Sequence, residues 1–261
     1  MRQETWVECE ATLPQGYERK RIEYGPHEQQ EIRLSLPIEK KNCPLVIWLH
    51  GGGLTMDTRS YPRDLWNGEY AGAEVRYRIS NGTFNALDSL ADAAKAVALI
   101  LKKLPSLKVD PENVFLGGMS AGAYLSAMVG MNPALLAEHG EDNRKLKGLF
   151  IISGQMTTHF RLKQDLHYRE TDCEPVIDKY APLFYANRKF PPVLFVTGES
   201  GRDMPSRPEE NAFMAAVLRS LGHPCVQYFS LPGHDHGAVF SSCDHLIMRF
   251  IEDLRNGVLH G

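Results

Sequence analysis

A serine between two glycines is the strongest chemical signal in the sequence. Gly118, Ser120 and Gly122 form the pattern G-x-S-x-G, directly after an apolar run and at the start of a stretch of small residues. A sharp strand-to-helix turn would strain the serine backbone, and side chains at the two glycines would clash with neighbouring main chain. The pattern predicts a nucleophile whose developing negative charge is favoured by a helix N-terminus. The alternative is a serine that only caps the helix.

A second signal is a row of glycines after an apolar run. His50 precedes Gly51, Gly52 and Gly53. Consecutive glycines cost backbone entropy, so they indicate a place where main chain must approach another group closely. We predict that the amides of Gly52 and Gly53, with the amide of Ala121, donate to the oxyanion of an acyl-transfer reaction, and that His50 orients this loop. The alternative is a plain glycine turn.

A serine hydroxyl needs a base, usually a histidine that a carboxylate orients. The segment GHDHG, between the last predicted strand and the last predicted helix, offers His234 and His236. We favour His236, which precedes Gly237 in this loop. Four other histidines lie outside this position and are predicted to be solvated surface residues: His139, His159, His167 and His223.

The carboxylate is expected in the loop after the preceding strand, where Glu199 and Asp203 are the candidates. Asp203 is preferred, which gives the chain order Ser120, Asp203, His236. The alternative for Asp203 is a loop or helix-capping acid.

Short apolar runs alternate with longer stretches of helical period, which predicts an α/β fold with a mostly parallel sheet covered by helices on both faces. The predicted strands are 45–49, 73–79, 114–117, 149–153, 193–197 and 226–231, and the predicted helices are 86–104, 120–131, 209–221 and 242–254.

Two segments depart from this alternation. Residues 19–36 predict an antiparallel entry hairpin that turns at Gly25 and Pro26. Residues 154–190 are polar and without a clear period, and we interpret them as an irregular excursion over one end of the sheet, where substrate selectivity tends to lie. Four aromatic residues of this excursion are expected to line the pocket: Phe160, Tyr168, Tyr180 and Phe184.

Composition narrows the possible functions. The 261 residues fit one domain, and a net charge of −3 with mixed charges offers no basic face for nucleic acid. No apolar run is long enough to span a membrane. The five cysteines include no CxxC spacing, so we expect reduced thiols and no metal site. We predict no cofactor and leave a homo-oligomer open.

The N-terminal segment MRQETWVECEATLP contains acids and lacks the apolar core of a signal peptide. We therefore expect a cytoplasmic location, or a secreted one if a leader has been removed.

Several of these motifs together resemble a known group. HGGG, the EVRYRIS strand, the GGMSAGAYLSAMVGM turn, the VTGESGRDMPSRPEEN loop and GHDHG resemble small serine esterases of the α/β-hydrolase superfamily, near the hormone-sensitive-lipase-like and bacterial feruloyl-esterase-like families. The resemblance spans nearly the whole chain. The G-x-x-H pattern of these families is matched by Gly233 to His236, which supports His236. The acid loop departs from their G-x-x-D pattern, since Asp203 lies five positions after Gly198.

The resemblance implies a serine esterase that works through an acyl-enzyme on a small-molecule ester. Residues 1–37 look too short and too strand-like for the large helical cap of the lipase-like relatives, which implies an open site and small acyl groups such as acetyl, on a sugar or plant polymer. Two alternatives stay open. One is formamide hydrolysis, as in kynurenine-formamidase-like relatives, and the other is a hydrolase-fold binding protein without turnover.

Overall fold

A computed structural model describes residues 15–187 and 189–259. One eight-stranded sheet runs through it in the order β1-β2-β4-β3-β5-β6-β7-β8. β2 is antiparallel to β1 and β4, and all later neighbours are parallel. The strands are β1 Tyr17–Glu23, β2 Glu31–Pro37, β3 Cys43–Leu49, β4 Ala71–Val75, β5 Val109–Met119, β6 Gly148–Ile152, β7 Val193–Thr197 and β8 Val226–Ser230.

Helices cover both faces of this sheet, so the predicted α/β class is confirmed. In β3, Ile47 faces a core built with α1, α2 and α5, whereas Trp48 faces a second core built with α6 and α7. Every residue of β3, β6 and β7 is buried, as expected for strands covered on both sides. The helices are α1 Ala86–Lys103, α2 Ala121–Met131, α3 Pro133–Ala137, α4 Phe160–Asp165, α5 Arg207–Ser220, α6 His236–Ser242 and α7 Asp244–Arg255.

The predicted entry hairpin is present as β1 and β2, with Glu23 paired to Glu31 beside the turn. The described residues contain no large helical cap domain, as predicted. Residues 1–14, which include Cys9 and are the whole segment inspected for a signal peptide, lie outside the described residues. The excursion at 154–190 includes one short helix, α4, and a single helical turn at Pro182–Tyr185.

Two strand predictions were wrong at their ends. The strand predicted at 73–79 ends at Val75, because the amide of Arg78 donates to the carboxylate of Asp92 (3.0 Å) instead of to a strand. The strand predicted at 114–117 begins at Val109 in the structure. The prediction missed this start because the polar residues after Val109 form an irregularity in the pairing with β3, which conceals the strand pattern.

Other predictions concern membrane spans, the cysteines and the location of the protein. None of the helices in the described part of the chain has both the length and the apolar character to span a bilayer. The four described cysteines are free thiols; Cys43, Cys225 and Cys243 are buried and Cys173 is exposed. The cytoplasmic location and the single-domain organisation of residues 1–261 stay predictions.

Candidate active site

Ser120 occupies a strained turn between β5 and α2. Its backbone angles are φ 56° and ψ −115°, a region that non-glycine residues rarely enter. The turn is fixed by a hydrogen bond from the Ser120 amide to the carbonyl of Ile152 (2.8 Å), at the end of β6. Although Ser120 stands at the cap position of α2, its hydroxyl makes no capping bond, so it is not a helix cap of the ordinary kind.

The glycines on either side of Ser120 are required by space. A Cβ atom on Gly122 would overlap the carbonyl oxygens of Leu49 and His50, and one on Gly118 would overlap the Leu49 carbonyl and the backbone of Gly122. These neighbours are main-chain atoms of β3 and α2, which cannot rotate away as a side chain could. The predicted reason for the two glycines is therefore met in the fold.

The glycine loop after β3 faces this turn. Gly52 and Gly53 have φ values of 108° and 62°, in the region that favours glycine. The carbonyl of Gly52 accepts bonds from Thr55 (3.0 Å) and Met56 (2.9 Å). In residues 15–187 and 189–259, the amides of Gly52, Gly53 and Ala121 donate to no other protein group. These amides are thus available to an oxygen outside the protein.

His50 lies beneath this loop and is buried. Its ring stacks on Tyr77 at 4.3 Å between ring centres, and the Tyr77 hydroxyl donates to the His50 carbonyl (2.6 Å). Burial lowers the pKa of His50, so the ring is neutral near pH 7. Its Nδ1 lies 2.7 Å from the carbonyl of Gly51, which can only accept a bond. His50 therefore fixes the loop from below.

Asp203 and His236 meet at the ends of β7 and β8. His236 Nδ1 lies 2.6 Å from Asp203 Oδ1, and the Asp203 side chain is fully buried whereas that of His236 is 26% exposed. The pKa of Asp203 is lowered: burial opposes ionisation, but hydrogen bonds from His236, the Gly198 amide, Ser153 and the Met204 amide favour it more. An ionised carboxylate only accepts, so Nδ1 carries a proton and donates it to Asp203.

Ser153, which the sequence analysis missed, is the third group at this carboxylate. Its hydroxyl lies 2.8 Å from both oxygens of Asp203 and 3.0 Å from His236 Nδ1. Ser153 follows β6 directly, is fully buried, and has a φ of 48°. A serine after an apolar strand matches no motif. Its position at the carboxyl end of a predicted strand, where Ser120 is also expected, is the only sequence signal that could have pointed to it.

The alternatives at the two loops lie elsewhere. His234 is half-buried, and its Nδ1 contacts the carbonyl of Pro232 (2.8 Å). Glu199 accepts a bond from the Gly233 amide (2.8 Å), and the Glu199 amide donates to the His234 carbonyl (3.0 Å). Glu199 thus ties the acid loop to the histidine loop, while Asp203 contacts the imidazole of His236.

The structure corrects two predictions about histidines. His236 does not lie in a loop but begins α6, where the carboxylate of Asp235 caps the helix by accepting from the Ala238 amide (2.8 Å). His159 and His223 are buried rather than solvated. His159 packs against two aromatic rings, and His223 lies 3.0 Å from the Phe190 carbonyl, contacts that no local pattern encodes.

Ser120 and His236 share no hydrogen bond in the described part of the chain. They are connected through two adjacent residues: Ile152 accepts from the Ser120 amide, and Ser153 contacts the His236 ring. Hydrogen bonds between a nucleophile and its base are often long in enzymes without substrate. Among the described residues no group of three or more histidine, cysteine or acidic side chains could hold a metal ion.

A mostly parallel eight-stranded sheet with a strained serine elbow and a glycine loop at the carboxyl ends of its strands defines the α/β-hydrolase class. More specifically, the chain belongs to the BD-FAE family, whose model matches residues 33–211. The predicted relationship to esterases of this superfamily is thereby confirmed.

Individual proteins agree with this assignment. A probable isoprenylcysteine alpha-carbonyl methylesterase from Oryza sativa is 25% identical over 76% of this chain, which spans about half (52%) of the length of that relative. A truncated carbohydrate esterase from gut microbiota superimposes with a TM-score of 0.76 at 15% identity, covering 92% of this chain and 98% of that one. Esterase 2 of Thermogutta terrifontis, phosphoramylated by tabun, gives 0.72 at 19% identity, with 95% and 97% covered. At these identities the solved structures establish the fold.

Proposed function

We propose that this protein is a serine carboxylic ester hydrolase that acts on small, acetyl-like esters through an acyl-enzyme. The observation that carries the proposal is the 2.6 Å contact between His236 and the buried carboxylate of Asp203, on the sheet edge that holds the strained Ser120. A neutral imidazole held in this tautomer is the base that a serine hydroxyl needs. The esterase names of the relatives point in the same direction.

In the proposed reaction, Ser120 Oγ attacks the ester carbonyl carbon while its proton passes to His236 Nε2. The carbonyl π electrons move onto oxygen, and the amides of Gly52, Gly53 and Ala121 stabilise that oxyanion. Collapse of the intermediate expels the alcohol, which takes the proton from His236. Water then repeats the sequence on the acyl-enzyme and releases the acid and the free serine. Asp203 stays ionised and stabilises the imidazolium.

The preference for small acyl groups is argued from the entry to the site. The excursion at 154–190 covers the sheet edge with one short helix, α4, whose Phe160 ring approaches the glycine loop: a Cβ on Gly53 would lie 3.4 Å from it. A bulky acyl chain would have to displace this ring. We therefore expect esters with an acetyl group to react without such a movement.

The decisive experiment compares Ser120→Ala with Ser126→Ala. Both serines lie at or in α2 and are buried, and Ser126 Oγ has no hydrogen-bond partner among the described residues. We expect Ser120→Ala to lower the turnover of p-nitrophenyl acetate by about 10⁴-fold or more. Ser126→Ala should retain it, and both variants should melt as cooperatively as the parent.

Labelling by a fluorophosphonate probe should require Ser120. Unchanged turnover in Ser120→Ala would contradict the proposed nucleophile, and a parent protein that neither turns over esters nor reacts with the probe would favour a binding protein. A parallel assay with N-formylkynurenine separates ester from formamide hydrolysis, because a strong preference for the formamide would overturn the ester proposal.

A further inference from the structure

A crevice of about 210 Å³ opens beside the acid of the proposed triad. Its lining includes Gln155, Phe160, Cys173, Met204, Arg207 and Glu210. Met204 directly follows Asp203, and Phe160 is the residue whose ring approaches the glycine loop at Gly53. The crevice therefore adjoins both Asp203 and the glycine loop. Its volume corresponds to roughly seven water molecules, which is space for a substituent of a few heavy atoms.

A buried arginine with an unused hydrogen-bond donor lines this crevice. Arg207 is 2% exposed, and its Nη1 has no hydrogen-bond partner among the described residues. Burial lowers the pKa of Arg207 to about 10, against the opposing effect of Glu210 and Asp203, so the guanidinium stays charged near pH 7. Buried cations in proteins are normally paired, because an unsatisfied buried donor costs free energy.

The acids nearest to Arg207 are already engaged. Glu210 accepts from the amides of Met156 (2.7 Å) and Thr157 (3.0 Å) and from the Thr157 hydroxyl (3.0 Å). Asp203 is held by His236 and Ser153. Within residues 15–187 and 189–259, no acid lies within ion-pair distance of Arg207. Both carboxylates balance its charge from a distance and leave its donor unused.

The neighbouring histidine does not neutralise this cation. His159 stacks on Phe160 at 4.4 Å, and its Nδ1 accepts a bond from the Arg161 amide (3.2 Å), so the proton lies on Nε2. Burial first, and then the charge of Arg207, hold the pKa of His159 well below its ordinary value. The Nε2 donor of this neutral ring is buried and also has no partner among the described residues.

We propose that this crevice receives a carboxylate of the substrate, so that the preferred esters carry a carboxylate near the scissile bond and Arg207 binds it. The inference rests on the proposed esterase function and deepens it. A guanidinium matches a carboxylate with two parallel hydrogen bonds. Two acids in the lining, Glu210 and Asp172, disfavour a dianion such as a phosphate monoester, whereas a monoanion meets less repulsion.

The test uses matched ester pairs that differ in one charge. On the acyl side the pair is mono-p-nitrophenyl succinate and p-nitrophenyl butyrate; on the alcohol side it is 4-acetoxybenzoate and 4-acetoxybenzamide. The parent should prefer the carboxylate member of at least one pair, and the pair that responds identifies the side of the ester that occupies the crevice. Arg207→Met should reduce kcat/KM for that member by about tenfold or more and change the neutral member by less than about threefold.

Controls separate this role from general effects. Arg202→Met removes an exposed arginine of the loop before α5, which pairs with Glu199 at 3.2 Å, and should leave the preference unchanged. Arg207→Lys keeps a charge without the planar fork and should give an intermediate preference. If Arg207→Met lowers both members of each pair equally, or if the parent shows no preference for either carboxylate, the proposed site is wrong.

A binding measurement keeps the two proposals distinguishable. Calorimetric titration of succinamate, which carries a single negative charge near pH 7, should show saturable binding to the parent and to Ser120→Ala, but not to Arg207→Met. Binding without ester turnover would retain the carboxylate site and overturn the esterase. Ester turnover without binding or preference would do the reverse. If Arg207→Met does not fold, the Arg207→Lys variant decides by the same two measurements.

Discussion

The two ends of the same strands differ in a way that identifies the site. At the amino ends of β6 and β7, Lys147 and Pro192 border a groove of about 650 Å³. At the carboxyl ends lies a crevice of about 210 Å³, which is smaller. Among the described residues, however, only the carboxyl ends combine left-handed backbone, at Ser120 and Ser153, with a buried ionised acid. Strain and buried charge, not volume, therefore mark the candidate site in this molecule.

The comparison would break most visibly at Asp203. We expect Asp203→Asn to lower kcat for p-nitrophenyl acetate by about 10³- to 10⁴-fold, because an amide can donate to His236 and hold the imidazole in the wrong tautomer. Glu199→Gln in the same loop and Lys147→Ala in the amino-end groove should each change kcat by less than about threefold. An Asp203→Asn variant with nearly full activity would remove the distinction between the two ends.

Ser153 sharpens the comparison by separating its hydroxyl from its backbone conformation. Ser153→Ala and Ser153→Gly both delete the hydroxyl, so we expect each to lower kcat by about 10-fold, since Asp203 keeps its bonds from the Gly198 and Met204 amides. Glycine accepts a φ of 48° without strain, so Ser153→Gly should be the more stable of the two by about 0.5–1 kcal/mol.

Steady-state rates and urea unfolding of the two Ser153 variants provide the measurement. If Ser153→Gly recovers full activity, then the residue acts through the shape of its backbone and not through its contact with Asp203. The deleted bond should also raise the pKa of Asp203 toward its value in the unfolded chain, so the acid-induced loss of stability should be smaller in both variants than in the parent and should end at a higher pH.

The smallest expected effect on ester turnover comes from buried histidines at the two ends of the strands, which instead affect the pH dependence of stability. Burial lowers the pKa of His50 and His159 near the site and of His223 near the amino-end groove. In the folded state these rings stay neutral below the ordinary value of about 6.5, at which the unfolded chain takes up protons. Stability is therefore fully present above that pH and is lost as the pH falls below it, by up to about 1.4 kcal/mol per pH unit for each ring.

Urea unfolding between neutral and mildly acidic pH measures this slope in the free energy of unfolding. His223→Gln should reduce the slope without changing ester turnover, because His223 lies at the end away from the proposed chemistry. If the free energy of unfolding of the parent does not decrease as the pH is lowered, the buried rings are protonated in the folded protein.

The sequence allowed the elbow to be predicted because its requirements are local. The close approach of Leu49 leaves room only for glycine at position 122, and the type and spacing of the residues express that directly. The end of β4 and the start of β5 were predicted less well. The end of β4 depends on Asp92, in a helix that follows it, and the start of β5 depends on its register with β3.

The roles of Ser153, His159 and Arg207 could not be predicted for a related reason. Each lies at the end of an element or in an irregular segment. The roles of Ser153 and His159 depend on residues far along the chain, and that of Arg207 depends on the lack of a hydrogen-bond partner for its Nη1. A hydroxyl, an imidazole or a guanidinium in such a segment is usually solvated, and only the folded arrangement reveals its burial.

The contact of Gly122 with the end of β3 has a consequence for the timing of events. Because α2 packs against the carbonyls of Leu49 and His50, the proposed nucleophile and the loop that carries the proposed amide donors belong to one stiff unit. In the proposed reaction, the dipoles around the reacting oxygen are then oriented before any ester arrives, so little reorganisation energy is spent. Substrate choice can vary through the excursion at 154–190 while this unit stays unaltered.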